Sequence, residues 1–428
     1  MIFLYRILFP FVALLSAPYF VYRMFRRGGY GFKFHYRFGF FPRLSKKNHK
    51  SFRIWIQAVS VGELSSLSKV LDSLVKDENI EVVLTGTTST GLRMAAERYA
   101  QKVSAQGPFP LDWWLFTRLA WAKIQPDLII TVDSELWPEH FYQASQRGIP
   151  ALVINARLSD RTFQRLSGSS FARKLLLPKG LEILTTSERQ STRWLQIGIE
   201  QKHVQVVGNL KVDAVGANIG EDTPTEELRN CLGFEPGSLV IAGISTWPGE
   251  EELLVDAVKQ IREHQVDARL LLIPRHAERR RSVCSMLDQT KLPYHVRTQG
   301  HQAPSGTLVY LADTTGELFK LIRCADLALG GKTLPPNHGG QNPIEPIALG
   351  IPLVLGPNYQ NFSQTCSDLL VHDAIRTAKD AEEATTVLVD LALNPDGRNQ
   401  LRTSSLKWMK SQGSPSEQTL ENIYRLLG

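Results

Sequence analysis

Glu63 closes the hexapeptide Ala58-Val59-Ser60-Val61-Gly62-Glu63, which ends an apolar run where a strand should give way to a helix. A carboxylate at the carboxyl end of a strand, beside a glycine that permits close approach of a substrate, can act as general base for an attacking hydroxyl. The Ser60-to-Glu63 spacing is also that of a capping box, in which Glu63 only bonds back to the Ser60 amide. Two more carboxylates end another apolar run in Asp133-Ser134-Glu135-Leu136-Trp137-Pro138. Pro138 suits the first turn of the helix that follows, a purely structural reason for it. Between these motifs, Leu84-Thr85-Gly86-Thr87-Thr88-Ser89-Thr90-Gly91 is a hydroxyl- and glycine-rich turn leading into a helix. Its free amides could hold a phosphorylated acceptor near Thr87, Thr88 and Gly91, although a Ser/Thr cap and a tight turn explain the stretch equally well.

The second half of the chain offers a different chemistry. Gly243-Ile244-Ser245-Thr246-Trp247-Pro248-Gly249-Glu250-Glu251 passes from strand to helix, but its acids already answer part of the helix dipole, which argues against a phosphate site. Pro274-Arg275-His276 closes another strand and offers donors, as a surface ion pair would too. The most informative stretch runs from Ala328-Leu329-Gly330-Gly331 to His338-Gly339-Gly340-Gln341-Asn342-Pro343-Ile344-Glu345-Pro346. Glycines let a backbone approach a ligand, the following helix presents amides to a phosphate, and Glu345 could accept both ribose hydroxyls of a nucleotide.

Positioning such groups takes more than one domain. A chain of 428 residues with 43% apolar content suits two α/β units. Apolar runs at Ile54 to Val59, Ile80 to Leu84, Leu128 to Val132, Ala151 to Ile154, Ile183 to Thr185 and Val204 to Val207 alternate with helix-period stretches, as in a parallel sheet wound with helices. A second series follows a polar stretch near 212–225, at Leu239 to Ile244, Leu270 to Ile273, Leu308 to Leu311, Leu327 to Leu329 and Leu353 to Leu355. Two such sheets facing a central cleft would place ligands at the carboxyl ends of their strands. The expected layout is a membrane anchor or interfacial helix over 1–22, a basic juxtamembrane segment over 23–50, a first Rossmann-like domain over 51–211 and a linker over 212–230. A second Rossmann-like domain over 231–410 and a carboxy-terminal helix over 411–428 complete it.

The charge sits at one end. Residues 1–50 hold ten Lys or Arg and no acid, so the formal charge of +7 less these ten leaves −3 for the remainder. A nucleic-acid partner, which wants a basic face on a folded domain, loses its support, and an anionic membrane surface takes its place. From Ile7 to Tyr22 the chain is uncharged, sixteen residues against the roughly 20 that span a bilayer, with Pro10 and Pro18 expected to interrupt the helix. The basic residues follow the apolar run, which disfavours a signal peptide and places the domains on the cytoplasmic side. Cys231, Cys284, Cys324 and Cys366 lie too far apart for a zinc site or a disulfide framework and read as reduced core thiols. No carboxylates have metal-ligand spacing, so neither metal nor cofactor is expected.

Taken in order, these motifs resemble the 3-deoxy-D-manno-octulosonic acid (Kdo) transferases, from about Phe52 to Phe362. The carriers are Ser60-Val61-Gly62-Glu63, Thr85 to Gly91, Glu135-Leu136-Trp137-Pro138, Asn155-Ala156-Arg157-Leu158-Ser159, Gly208-Asn209-Leu210-Lys211, Pro274-Arg275-His276, Asn342-Pro343-Ile344-Glu345-Pro346 and Gly356-Pro357. The resemblance implies a GT-B fold, an acceptor-binding first domain and a CMP-binding second domain. It implies transfer of Kdo from CMP-Kdo to a lipid A precursor (lipid IVA) with inversion, at the inner membrane. Glu63 matches the catalytic base and Glu135 a supporting catalytic position. Lys211, Arg275, His276, Gly330, Gly331, Asn342 and Glu345 fall on the donor side, and Ser60, Gly62, Thr87, Thr88 and Gly91 on the acceptor side. Trp247 stands where the family usually has His, Lys332-Thr333 replaces the usual Ser after Gly330-Gly331, and Gln341 replaces a His. The alternatives are a lipid-linked transferase using a UDP-sugar and a non-catalytic sugar-nucleotide binder.

Overall fold

Parallel strands covered on both faces need near-continuous apolar sequence, and the computed structural model places fourteen parallel strands among its described residues, most of them on such runs, in two sheets. It describes residues 1–26, 31–45, 51–58, 60–216 and 225–428. Val59, the basic residues Arg27, Lys46, Lys47 and Lys50, and residues 217–224 of the expected linker lie outside the described residues.

The first sheet comprises β1 (Phe52–Gln57), β2 (Ile80–Gly86), β3 (Ala105–Pro108), β4 (Leu128–Val132), β5 (Ala151–Ala156), β6 (Leu181–Thr185) and β7 (Val204–Val206), in the order β3-β2-β1-β4-β5-β6-β7. Side chains alternate across it: Ile54 and Ile56 enter the core on one face, Trp55 the core on the other. The second sheet comprises β8 (Leu239–Thr246), β9 (Ala268–Pro274), β10 (Tyr294–Val296), β11 (Val309–Leu311), β12 (Leu327–Gly330), β13 (Leu353–Leu355) and β14 (Arg376–Thr377), in the order β10-β11-β9-β8-β12-β13-β14. Strand order reverses between β1 and β4 in one sheet and between β8 and β12 in the other. Those are the switch points where open α/β sheets bind ligands.

The compact units differ from the expected boundaries at both ends. Unit 1 is Met1–Ala214 with Ser414–Gly428, and unit 2 is Val215–Gly413. The last helix belongs to unit 1 because Ile423 fills the core beside β1, while Asp213 accepts from the Ser416 amide at 2.5 Å. The segment after the first helix is also part of the body of unit 1. Tyr36 and Phe41 are core residues, and Arg37 donates to the carbonyls of Phe109 (3.0 Å) and Thr87 (3.2 Å). Gly39, at φ +80°, is required there, since a Cβ would meet the Phe116 carbonyl at 2.2 Å. The described part of the expected basic segment is therefore aromatic packing as much as charge. Pro10 and Pro18 do not interrupt the first helix, α1 (Ile2–Arg26), which runs through both. Its stretch Ile2–Tyr19 is long and apolar enough to cross a membrane.

Candidate active site

In unit 1 the switch point gathers the acid motifs. After β1, the Ser60 hydroxyl accepts from the Glu63 amide at 3.4 Å and caps α2 (Val61–Ser66). This is the Ser60 side of the capping box. The Glu63 carboxylate acts electrostatically on Glu135 and on Lys211. Gly62 is exposed, and a Cβ on it would meet only the Ser60 hydroxyl at 3.9 Å, so packing does not demand a glycine there. Gly91 is buried where the next helix start crosses this one, its missing Cβ 3.3 Å from the Ser60 carbonyl carbon. Thr88 accepts from the Gly91 amide at 3.2 Å as a helix cap, and Thr87 accepts from Gln57 at 3.1 Å. These threonines do the structural work that the sequence allowed for.

After β4, Glu135 precedes α3 (Pro138–Gln146), with Pro138 in its first turn. Burial pushes the Glu135 carboxyl up to about 8, assisted by the negative charges of Glu63 and then Asp133. At neutral pH it is mainly protonated and can donate a hydrogen bond. Lys211 follows β7; burial lowers its affinity for a proton and Arg157 adds to this, while Asp133 and Glu63 oppose it. Sequence reasoning assigned no role to the network that holds these groups. Asp133, at φ +59°, accepts from Asn155 at 2.6 Å and from Arg157, and Asn155 accepts from the Leu210 amide at 3.2 Å. The ends of β4, β5 and β7 are thereby pinned, and the left-handed backbones of Asp133 and Asn155 are the strain this costs. Asn155-Ala156-Arg157 signalled this only as a motif.

Unit 2 brings the remaining expected residues to its own strand ends. Arg275 follows β9, its amide bonded to the Thr246 carbonyl at 3.2 Å. His276 stands beside Trp247 (ring centroids 5.3 Å apart) and pairs with Glu278 at 3.3 Å. Asn342 donates to Glu345 at 3.3 Å, where burial raises the Glu345 carboxyl and the Asn342 bond and Arg275 lower it. Gly331 approaches protein rather than open space: a Cβ would meet the Ser245 carbonyl at 2.2 Å. Gly330 likewise packs against Leu355. Two departures from the family pattern touch each other, with the Lys332 ammonium 4.6 Å from the centre of the Trp247 ring. The acids expected to answer part of the helix dipole also have a more specific task. Glu250, buried at the start of α4 (Glu250–Glu263), accepts from the amides of Trp247 (2.8 Å), Lys332 (2.9 Å) and Thr333 (3.1 Å). Glu251 accepts from Thr246 at 2.7 Å and from Arg279 at 2.7 and 3.1 Å. Among the described residues no group of three or more His, Cys, Asp or Glu side chains is arranged to hold a metal.

Two parallel-sheet α/β units, each with its polar residues at the switch point, define a GT-B fold. A family model described as 3-deoxy-D-manno-octulosonic-acid transferase matches residues 33–214. The chain is 28% identical over 386 residues to the 3-deoxy-D-manno-octulosonic acid transferase of Bordetella pertussis, covering 88% of this chain and 87% of that protein. It is 28% identical to the enzyme of the same name from Haemophilus influenzae, covering 84% and 82%. Among solved structures, UDP-GlcNAc 2-epimerase from Neisseria meningitidis bound to UDP-GlcNAc superposes with a TM-score of 0.61 at 14% identity, over 87% of this chain and all of that one, which is a likeness of fold alone. Over most of its length the chain is thus similar to Kdo transferases, and the likeness is that of a glycosyltransferase.

Proposed function

We propose that this glycosyltransferase moves Kdo from CMP-Kdo to a lipid A precursor, lipid IVA, in lipopolysaccharide synthesis, inverting the anomeric carbon. Glu63 takes the proton of the acceptor hydroxyl, and Glu135, held neutral, donates a hydrogen bond to the reacting groups. The observation that supports this most directly is the coupled carboxyl pair at the switch point of unit 1, where one member is pushed up to about 8. A carboxyl raised by burial beside a second carboxylate lets the two divide the acid and base roles between them. Ser60, Gly62, Thr87, Thr88 and Gly91 are assigned to the acceptor. Lys211, Arg275, His276, Gly330, Gly331, Asn342 and Glu345 are assigned to the donor, whose carboxylate and phosphate call for cations and amides and for no cofactor. The lipid acceptor accounts for an apolar amino-terminal helix, with the enzyme on the cytoplasmic face of the inner membrane.

Incubation with CMP-Kdo and a tetra-acylated lipid A precursor, followed by mass spectrometry of the lipid, should show the mass of at least one added Kdo. An unchanged lipid would remove the reading. The Trp247–Lys332 contact favours one second reading, a different donor sugar, and thermal shift with CMP against UDP separates the two: stabilisation by UDP alone would replace the donor.

A further inference from the structure

Helix α1 is fastened to unit 1 at its amino-terminal turn. The Tyr5 hydroxyl donates to Asp112 at 2.9 Å, and Arg6 makes a two-pronged pair with Glu139, both contacts at 2.8 Å. Asp112 and Glu139 are buried, and Asp112 also accepts from the amides of Glu139 (3.0 Å) and His140 (2.9 Å) at the start of α3. A third bond comes from proline chemistry. Pro10 has no N–H, which leaves the Arg6 carbonyl without its helical donor, and the Trp113 indole supplies one at 2.9 Å. A proline that weakens a free helix thus creates an acceptor for this attachment.

Both ends of α1 therefore return to the same body. Its first turn is bonded to α3, and the segment that follows it is packed into the unit 1 core through Tyr36 and Phe41. A helix of 25 residues is about 37 Å long, and a spanning helix would carry its first turn across roughly 30 Å of hydrocarbon. One stripe of α1, Ile2, Tyr5, Phe9, Ala13 and Ser16, is half-buried at helical spacing, while Phe11, Leu14 and Leu15 are 63%, 74% and 83% exposed. The exposed face is uncharged from Ile7 to Tyr22, and the sequence then turns basic at Arg23 and Arg26, the pattern of a helix lying in an anionic lipid interface.

We propose that α1 is an in-plane membrane anchor, fastened by Tyr5, Arg6 and Trp113 so that its amino terminus stays on the same face of the bilayer as the two units. Because Glu139 lies four residues after Glu135, the fastening joins the lipid surface directly to the helix that the catalytic loop leads into, and it fixes the depth at which a lipid-borne hydroxyl meets Glu63. The inference rests on the membrane attachment in the proposed function, and its test uses no turnover.

The full chain with one cysteine inserted between Met1 and Ile2, off the lipid-facing side of α1, is expressed in a bacterium, and inverted inner-membrane vesicles are treated with a membrane-impermeant maleimide, read peptide by peptide by mass spectrometry. Native Cys231, exposed on unit 2 and not in its core as the sequence suggested, reports the face on which the units lie. The introduced thiol should label together with Cys231, to the same extent before and after detergent. Labelling of the introduced thiol only after detergent, with Cys231 already labelled, would establish a spanning helix and overturn the proposal. A chain that fails to float with the membranes would instead remove the attachment, and in that case dimers linked through the introduced thiol would assign the exposed face to a second copy. A fluorophore on Leu15→Cys should be quenched best by lipids spin-labelled near the headgroup, and best quenching from chain-centre labels would also refute in-plane placement.

Discussion

At the switch point of unit 1, Glu63 and Glu135 act on each other's charge; at that of unit 2, Glu250 and Glu251 are enclosed by donors. All four follow strands that border a reversal of strand order. The difference lies in how the backbone around them is satisfied. Around Glu250 burial raises the proton affinity while at least three converging amides oppose it, and the carboxyl is committed to joining the β8 and β12 loops. Around Glu135 burial and a neighbouring carboxylate dominate, and a proton is retained near neutral pH. At one switch point a buried carboxyl thus keeps a titratable proton, and at the other it ties loops together.

The comparison predicts opposite failures. Glu63→Gln should fold, bind CMP normally and lose at least roughly 10²-fold in turnover, because a positioned base contributes about 10² to 10⁴. A stable, nearly fully active variant would return Glu63 to its capping role. Glu250→Ala should fail through stability: loop amides lose their buried acceptor, costing about 2 kcal/mol or more by denaturant titration and weakening CMP binding with it. A variant as stable as the parent would place Glu250 outside the scaffold. Glu345→Ala should weaken CMP binding by about 1–2 kcal/mol in calorimetry and leave the melting temperature within a few degrees. An unchanged affinity would move the ribose contact elsewhere.

The smallest effect concerns pH. A carboxyl whose proton affinity is raised on folding stabilises the fold at low pH, and that contribution is lost as pH rises through about 8. If the neutral form also donates to the reacting groups, kcat/KM should fall above about pH 8. Glu135→Gln, a permanently neutral donor, should stay within several-fold of the parent at pH 7 and lose that alkaline limb. A limb that persists in the variant belongs to another group.

Much of this was legible because parallel strands buried on both faces leave apolar runs. Leu128–Val132 and Leu353–Leu355 coincide with the runs read from sequence. The strands that escaped, β3, β10 and β14, all lie at sheet edges, where covering is incomplete and Ala-Gln-Gly-Pro can serve. Residues 31–45 were read by their charge, although Tyr36 and Phe41 carry their packing. The acid motifs stood out by residue type, but the difference between Glu135 and Glu250 depends on burial and on the distant amides that reach Glu250, and no spacing in the sequence encodes that. The Asp133–Asn155–Leu210 chain escaped for the same reason, since its members lie on three strand ends far apart in sequence.

The return of the last helix to unit 1 bears on how the protein is made. Synthesis runs from the amino terminus, so unit 2, one continuous stretch from Val215 to Gly413, is complete on the ribosome before unit 1 is. Unit 1 emerges first yet is finished last, because Ile423 must still fill its core and the Ser416 amide must still reach Asp213. A stop codon a few residues before Ser414 would therefore spare the later-made unit and leave a hole in the earlier one.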